Sequence, residues 1–167
     1  MAAGLPPLSL YLHLPWCVRK CPYCDFNSHD SEAQDGYVKA LLKDLDEDLK
    51  YVQQREISSI FIGGGTPSLM NVKEVNDLFI GLNDRLDFAS NIEITLEANP
   101  GTFEVDRFAE YRNVGINRLS IGVQSFNDKQ LKFLGRIHSA SEAQNAIVEA
   151  QNVGFENPNI RNILIIC

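Results

Sequence analysis

The sequence predicts an α/β fold built on a parallel sheet, on three observations. Short segments of alternating apolar residues take turns with longer segments whose apolar residues recur every three or four positions, along the whole chain. No Pro-, Gly- or Ser-rich linker and no low-complexity run divides them. The 167 residues, 44% of them hydrophobic, suffice for one domain with a core. Strands separated by helices in this way run parallel and are joined by right-handed crossovers.

The first strand covers about 8–15, with Leu8, Leu10, Leu12 and Leu14 on one face and Tyr11 and His13 on the other. A helix over about 36–54 carries Val38, Leu41, Leu42, Leu45, Leu49 and Val52 on one stripe. Strand two is ISSIFI, 57–62. The next helix starts at Asn71, whose side chain caps while Glu74 closes a capping box, and its stripe is Val75, Leu78, Phe79, Leu82 and Leu86. Strand three is 92–98, with Glu93, Thr95 and Glu97 opposite Ile92, Ile94 and Leu96. A short helix at about 105–113 ends near Gly115, and strand four is 118–124. Another helix opens at Ser141 with Gln144 as box partner and ends at Gly154. NILIIC, 162–167, reads as a fifth strand. So apolar a strand needs cover on both faces and a partner on both edges, so the sequence reads as an incomplete frame.

The formal net charge of −7 argues against a nucleic-acid or anionic-membrane partner. The run Asp44, Asp46, Glu47, Asp48 reads as a solvated helix face. No apolar stretch is long enough to span a bilayer, and the N-terminus lacks the basic region of a secretory signal. These features predict a cytoplasmic protein, where thiols stay reduced.

Against that background, WCVRKCPYCDF concentrates three of the four cysteines, Cys17, Cys21 and Cys24. Their spacing would align them on a helix, but Pro22 removes a helical donor and pushes Cys21 out of the α region. A loop after strand one can instead turn three sulfurs to a common point. Two chemistries fit. Structural zinc needs a fourth ligand, for which His13 or His29 is available. A [4Fe–4S] cluster normally takes four thiolates, so three leave one iron open to a small molecule.

Further polar residues collect at the C-terminal ends of the strands, where parallel sheets bind ligands. GGGTPS, 63–68, follows strand two; its glycines allow close backbone approach and leave N–H and C=O groups for a ligand, or simply make a tight turn. Glu97 ends strand three, and Ser120, Gly122 and Gln124 share a face of strand four. Taken singly, Glu97 and Gln124 are ordinary inner-face polar residues and Arg136 an ordinary surface cation. His29 and His138 read as exposed loop residues, and Trp16 and Phe26 as packing for the cysteine loop.

The C-x3-C-x2-C spacing, with an aromatic residue before the last cysteine, resembles the radical S-adenosylmethionine (SAM) signature. YLHLPWCVRKCPYCDFNSH, IFIGGGTPS, EITLEANPGT and RLSIGVQSFNDKQLKFLGRIHS, in that order, resemble the HemW family of haem chaperones, relatives of the oxygen-independent coproporphyrinogen III oxidase. The resemblance covers about 8–160. It implies a partial parallel (βα) TIM-like barrel, about five of six units present, as one radical SAM core domain over 1–167 with the C-terminal domain absent. It implies Cys17, Cys21 and Cys24 as ligands of a [4Fe–4S] cluster that reductively cleaves SAM. It further implies Tyr11, Tyr23, Gly64, Gly65, Thr66, Glu97, Gln124 and Arg136 as SAM contacts, with Arg136 on the carboxylate. The implied partners are haem, haem-acceptor proteins and an electron donor, with any membrane association peripheral and made through the acceptors.

Two departures from the family pattern matter. Phe26 stands where the oxidase branch carries a further cysteine, which favours the chaperone over the oxidase. Arg161 stands where an aspartate is expected, and a cation there accepts no hydrogen bond from ribose hydroxyls. The family's haem-ligating histidine motif is also missing from these residues.

Overall fold

The computed structural model describes residues 4–101, 105–156 and 158–162. Its main sheet has five strands: β1 (Leu8–Leu14), β4 (Ile57–Gly64), β5 (Phe88–Ala98), β6 (Arg118–Gln124) and β7 (Asn159–Asn162). All are parallel and lie in chain order, β1-β4-β5-β6-β7. A sheet that grows in one direction without reversing is the layout of a barrel wall, not of a doubly wound fold. The α/β class and the parallel topology are as the sequence predicts. Of the expected fifth strand, 163–167 lie outside the described residues.

The helices are α1 (Tyr37–Val52), α2 (Val72–Asn83), α3 (Phe108–Asn113), α4 (Asp128–Phe133) and α5 (Ala140–Asn152). They cover one face of the sheet. On that face Leu12, Leu14, Ile60, Ile62, Ile94, Leu96, Leu119, Ile121 and Val123 form a core with Val75, Leu78, Leu82, Ala143 and Ala146 of the helices. The α1 stripe, Leu41, Leu42, Leu45 and Leu49, packs on this core from outside while staying half-buried. The acidic run of α1 is exposed as expected, although Asp46 accepts two hydrogen bonds from Arg85, at 2.7 and 3.2 Å, and so ties α1 to the end of α2.

The Asn71 capping box forms: the Glu74 N–H donates to Asn71 Oδ1 at 2.9 Å and the Asn71 N–H to Glu74 Oε2 at 3.2 Å. The start of α5 differs from expectation. Ser139, not Ser141, is the cap, and Glu142, not Gln144, is its partner; the Ser139 N–H donates to Glu142 Oε2 at 2.7 Å. Both serines have a suitable residue three places on. The carboxylate wins because negative charge is favoured at a helix N-terminus. The six-residue α4, capped by Asn127, is absent from the sequence reading. So is the short parallel pair β2 (Trp16–Cys17) and β3 (His29–Asp30).

The uncovered face carries the other half of each alternation. Tyr11 lies opposite Phe61, Phe61 opposite Thr95, His13 opposite Gly63, and Glu97 opposite Ser120. This face, at the C-terminal ends of the strands, holds the candidate site.

Candidate functional site

The cysteine loop leaves β1 at Pro15 and returns at β3. The His29 N–H donates to the Pro15 carbonyl at 2.7 Å and the Ser31 N–H to that of Cys17 at 3.3 Å, so the base of the loop is closed by backbone. Lys20 fills the middle: its N–H meets Asp30, and its Nζ donates to the carbonyls of Phe26 and Ser28 at 3.0 and 3.1 Å. The Cys24 N–H donates to the Cys21 carbonyl at 3.0 Å, closing a turn that follows from Pro22. Cys17 is buried, Cys21 and Cys24 are partly exposed, and all three are free thiols on the wall of one pocket. Among the described residues no three His, Cys, Asp or Glu side chains gather around a single ion-sized point.

The glycine turn lies against this loop. The N–H groups of Gly65 and Thr66 donate to the carbonyls of Leu14 and Trp16 at 2.7 and 2.6 Å, and that of Gly64 donates to Glu97 Oε2 at 3.1 Å. The expectation that this segment leaves its N–H groups for a ligand is therefore corrected at these three positions: protein acceptors take them. At these positions the turn offers a ligand its carbonyl oxygens and the Thr66 hydroxyl. A Cβ on Gly65 would sit 2.3 Å from the Trp16 carbonyl oxygen, so the glycine is there to let the two loops touch. Behind the turn, the buried Tyr111 hydroxyl donates to the Ser68 carbonyl at 2.7 Å and holds the following 3-10 turn.

Across the pocket, Arg136 gathers groups distant in sequence. Its Nη2 donates to Asn99 Oδ1 at 2.7 Å and the Gly122 carbonyl at 2.8 Å, and its Nη1 to Cys21 Sγ at 3.3 Å and the Tyr23 hydroxyl at 3.5 Å. Asn99 in turn donates to Thr66 Oγ1 at 3.2 Å. Burial, helped by the hydrogen bond with Cys21 and opposed by the Arg136 charge, pushes the Tyr23 phenol up to about 12. Gln124 ends β6 with φ 68, a left-handed conformation that a non-glycine residue adopts only where its surroundings enforce it. A Cβ on Gly122 would meet the Gln124 amide at 3.2 Å. The Oγ of the fully buried Ser120 and the Nε of Arg136 have no protein hydrogen-bond partner, and both residues line the pocket.

Glu97 closes the floor. Its side chain is 12% exposed and its Oε1 lies 2.5 Å from Arg161 Nη1 of β7. Burial raises its carboxyl above the ordinary range, opposed by Arg161, the Gly64 N–H and His13. The pocket is a cleft open to solvent with a cavity volume of about 120 Å³.

Of the residues singled out in the sequence, the pocket brings together Cys17, Cys21, Cys24, Tyr23, Gly64, Gly65, Thr66, Glu97, Gln124 and Arg136. It does not include Tyr11 among its lining residues. Tyr11 lies on the uncovered face, stacked on Phe61 at 6.2 Å between centroids, with its hydroxyl 2.9 Å from His13 Nδ1. His13 Nε2 lies 2.8 Å from the Asn27 carbonyl, which can only accept. Nε2 therefore carries the proton, Nδ1 accepts from Tyr11, and both ring nitrogens are engaged. His13 is thus not available as a fourth metal ligand. His29 is exposed as expected; His138 is not. His138 is buried, with Nε2 3.0 Å from the Val123 carbonyl, and burial lowers its pKa. Trp16 packs edge-on against Tyr37 at 4.5 Å, whereas Phe26, expected to pack, is 52% exposed at the rim. Arg19, Ala98 and Asn99 also line the pocket and were not singled out in the sequence, and Ser120 was noted only for its strand face. The signal for Asn99 and Ser120 is position alone: one follows the end of β5 and the other faces Glu97 across the strands.

A loop with three cysteines beside a polar pocket at the C-terminal ends of a parallel sheet has a counterpart among known proteins. The radical SAM superfamily profile matches residues 11–167. This chain belongs to the radical SAM superfamily. Within it, the chain is 55% identical to the haem chaperone HemW of Escherichia coli (strain K12) over 159 residues, covering 93% of this chain and 42% of that one. It is 52% identical over 163 residues to HemW of Haemophilus influenzae (strain ATCC 51907 / DSM 11121 / KW20 / Rd), covering 93% and 43%. Among solved structures, the coproporphyrinogen III oxidase HemN of Escherichia coli, a radical SAM enzyme, superposes with a TM-score of 0.77 at 30% identity, over 92% of this chain and 36% of that one. The chain thus spans less than half the length of the curated relatives it matches.

Proposed function

We propose that the chain binds a [4Fe–4S] cluster through Cys17, Cys21 and Cys24 and SAM in the adjoining pocket, as the cofactor core of a haem chaperone of the HemW kind. The observation that carries this is convergence. Three thiols from one loop share a single pocket with Glu97, Gln124, Arg136 and the glycine turn, which come from four other segments. The unpartnered Ser120 Oγ and Arg136 Nε in that pocket support a polar ligand, since buried polar atoms are rarely left unpaired.

When bound, a low-potential cluster supplies the electron that a sulfonium needs for reductive cleavage. The rest falls to this chain's residues. Arg136, held by Asn99 and Gly122, points guanidinium donors toward a carboxylate. Carbonyls of the glycine turn accept from an ammonium group. Thr66 and Gln124 supply side-chain hydrogen bonds, and Tyr23 stays a neutral phenol beside the sulfurs. This reading takes haem from the name of the HemW relatives and adds, as part of the proposal, haem-acceptor proteins, an electron donor and a cytoplasmic location.

The chaperone reading is favoured over the oxidase by identity, 55% to HemW against 30% to HemN, and by Phe26 at the rim. A zinc module loses one of its two candidate fourth ligands, since both His13 nitrogens are committed, and keeps only the exposed His29. Anaerobic reconstitution with iron and sulfide tests the core of the proposal. Wild type is expected to take up iron and sulfide and to change its low-temperature paramagnetic spectrum when SAM is added. Cys21→Ala should drop iron to background. Zinc without iron in protein prepared free of air would overturn the reading, and vinyl formation on coproporphyrinogen would reverse the order of chaperone and oxidase.

A further inference from the structure

Among the residues lining the pocket, Glu97 is the one carboxylate, against three guanidinium groups, Arg19, Arg136 and Arg161. Glu97 is engaged on both oxygens. Arg161 takes Oε1 at 2.5 Å and the Gly64 N–H takes Oε2 at 3.1 Å. Arg161 is held in place from a second side, with its guanidinium carbon 5.7 Å from the Phe61 ring centroid. The Arg161 side chain is 41% exposed and that of Glu97 12%, so the cation lies toward the solvent side of the carboxylate.

A chain with a net charge of −7 thus presents a pocket lined by three guanidinium groups and one carboxylate, itself ion-paired, beside three cysteine sulfurs whose negative charge in the loaded form acts alike in wild type and Arg161 variants. We infer that Arg161 is a specificity-determining residue that competes with a cationic ligand for Glu97 and so shifts the pocket's preference away from SAM toward its neutral thioether counterpart. This rests on the reading that the pocket takes an adenosyl ligand. The physical basis is simple. SAM carries a sulfonium and an ammonium against one carboxylate, a net positive charge. S-adenosylhomocysteine has the same groups without the sulfonium, and no net charge. A guanidinium fixed in the pocket repels the first by Coulomb interaction and is nearly indifferent to the second. Ion pairing with Glu97 also weakens the pull of the lining's one carboxylate on the cation.

The test is equilibrium dialysis of both ligands against the cluster-loaded chain, wild type, Arg161→Gln and Arg161→Lys, at low ionic strength. Arg161→Gln keeps hydrogen-bonding capacity and removes the charge. It is expected to tighten SAM about fivefold while moving S-adenosylhomocysteine less than about twofold. Arg161→Lys should keep the wild-type ratio of the two affinities. That ratio reads charge, which a merely structural role for Arg161 would not move. Binding of both ligands with an unchanged ratio in Arg161→Gln overturns this inference and leaves the proposed function standing. Failure of both ligands to bind any loaded form overturns both, and binding of SAM alone overturns only this inference.

Discussion

The two faces of the sheet are made from the same strands and obey opposite rules. On the helix-covered face Leu96, Leu119, Ile121 and Val123 are at most 1% exposed, apolar and interchangeable in kind. One residue away on each strand, the uncovered face holds Glu97, Ser120, Gly122 and Gln124, each with a distinct geometry or partner. A single step in register separates the residues that hold the chain together from those that make its site. Stability and chemistry can therefore be altered separately, and three substitutions test how far.

The largest effect is expected from Leu96→Ala, which empties the core between β5 and the helices. It should cost about 3 kcal/mol in urea unfolding, which is about 9 °C in melting temperature for a domain of this size. A loss below about 1 kcal/mol would mean that the helix-covered face is not the main source of stability. Next comes Gly65→Ala. The added carbon meets the Trp16 carbonyl at 2.3 Å, so the glycine turn and the cysteine loop must separate. About 2 kcal/mol should be lost, and iron uptake should fall with it. Normal uptake in a destabilised variant would show that the two loops need not touch. The smallest effect belongs to Ser120→Ala. Its hydroxyl is buried and unpartnered, so its removal should leave stability within about 0.5 kcal/mol while weakening ligand binding measurably. A clear loss of stability would place Ser120 among the structural residues.

The helix-covered face was the more legible of the two. Its alternation in β1, β5 and β6 and the three-four spacing of α1 and α2 are local patterns, and burial follows them directly. The site was legible in part. Cysteine spacing and the polar residues at strand ends can be read from sequence because each is a departure from the local rule. Arg136 was legible only through the family resemblance and not from its own sequence context, since its partners Asn99, Gly122 and Cys21 lie 37, 14 and 115 residues away. Gln124 gives no warning of its positive φ, a conformation imposed by what surrounds it. The glycine turn misled in an instructive way. Three glycines signal close approach, but not of what, and at Gly65 the close neighbour is the chain's own backbone. Elements of two to six residues, β2, β3 and α4, are too short for any periodicity to show.

The pairing of β2 with β3 bears on the timing of assembly. It fastens both ends of the cysteine loop with main-chain bonds formed by the polypeptide itself. The conformational entropy of bringing those ends together is thus spent during folding. Under the proposed function, cluster loading is then expected to be a late step, into a rim that the polypeptide has already closed.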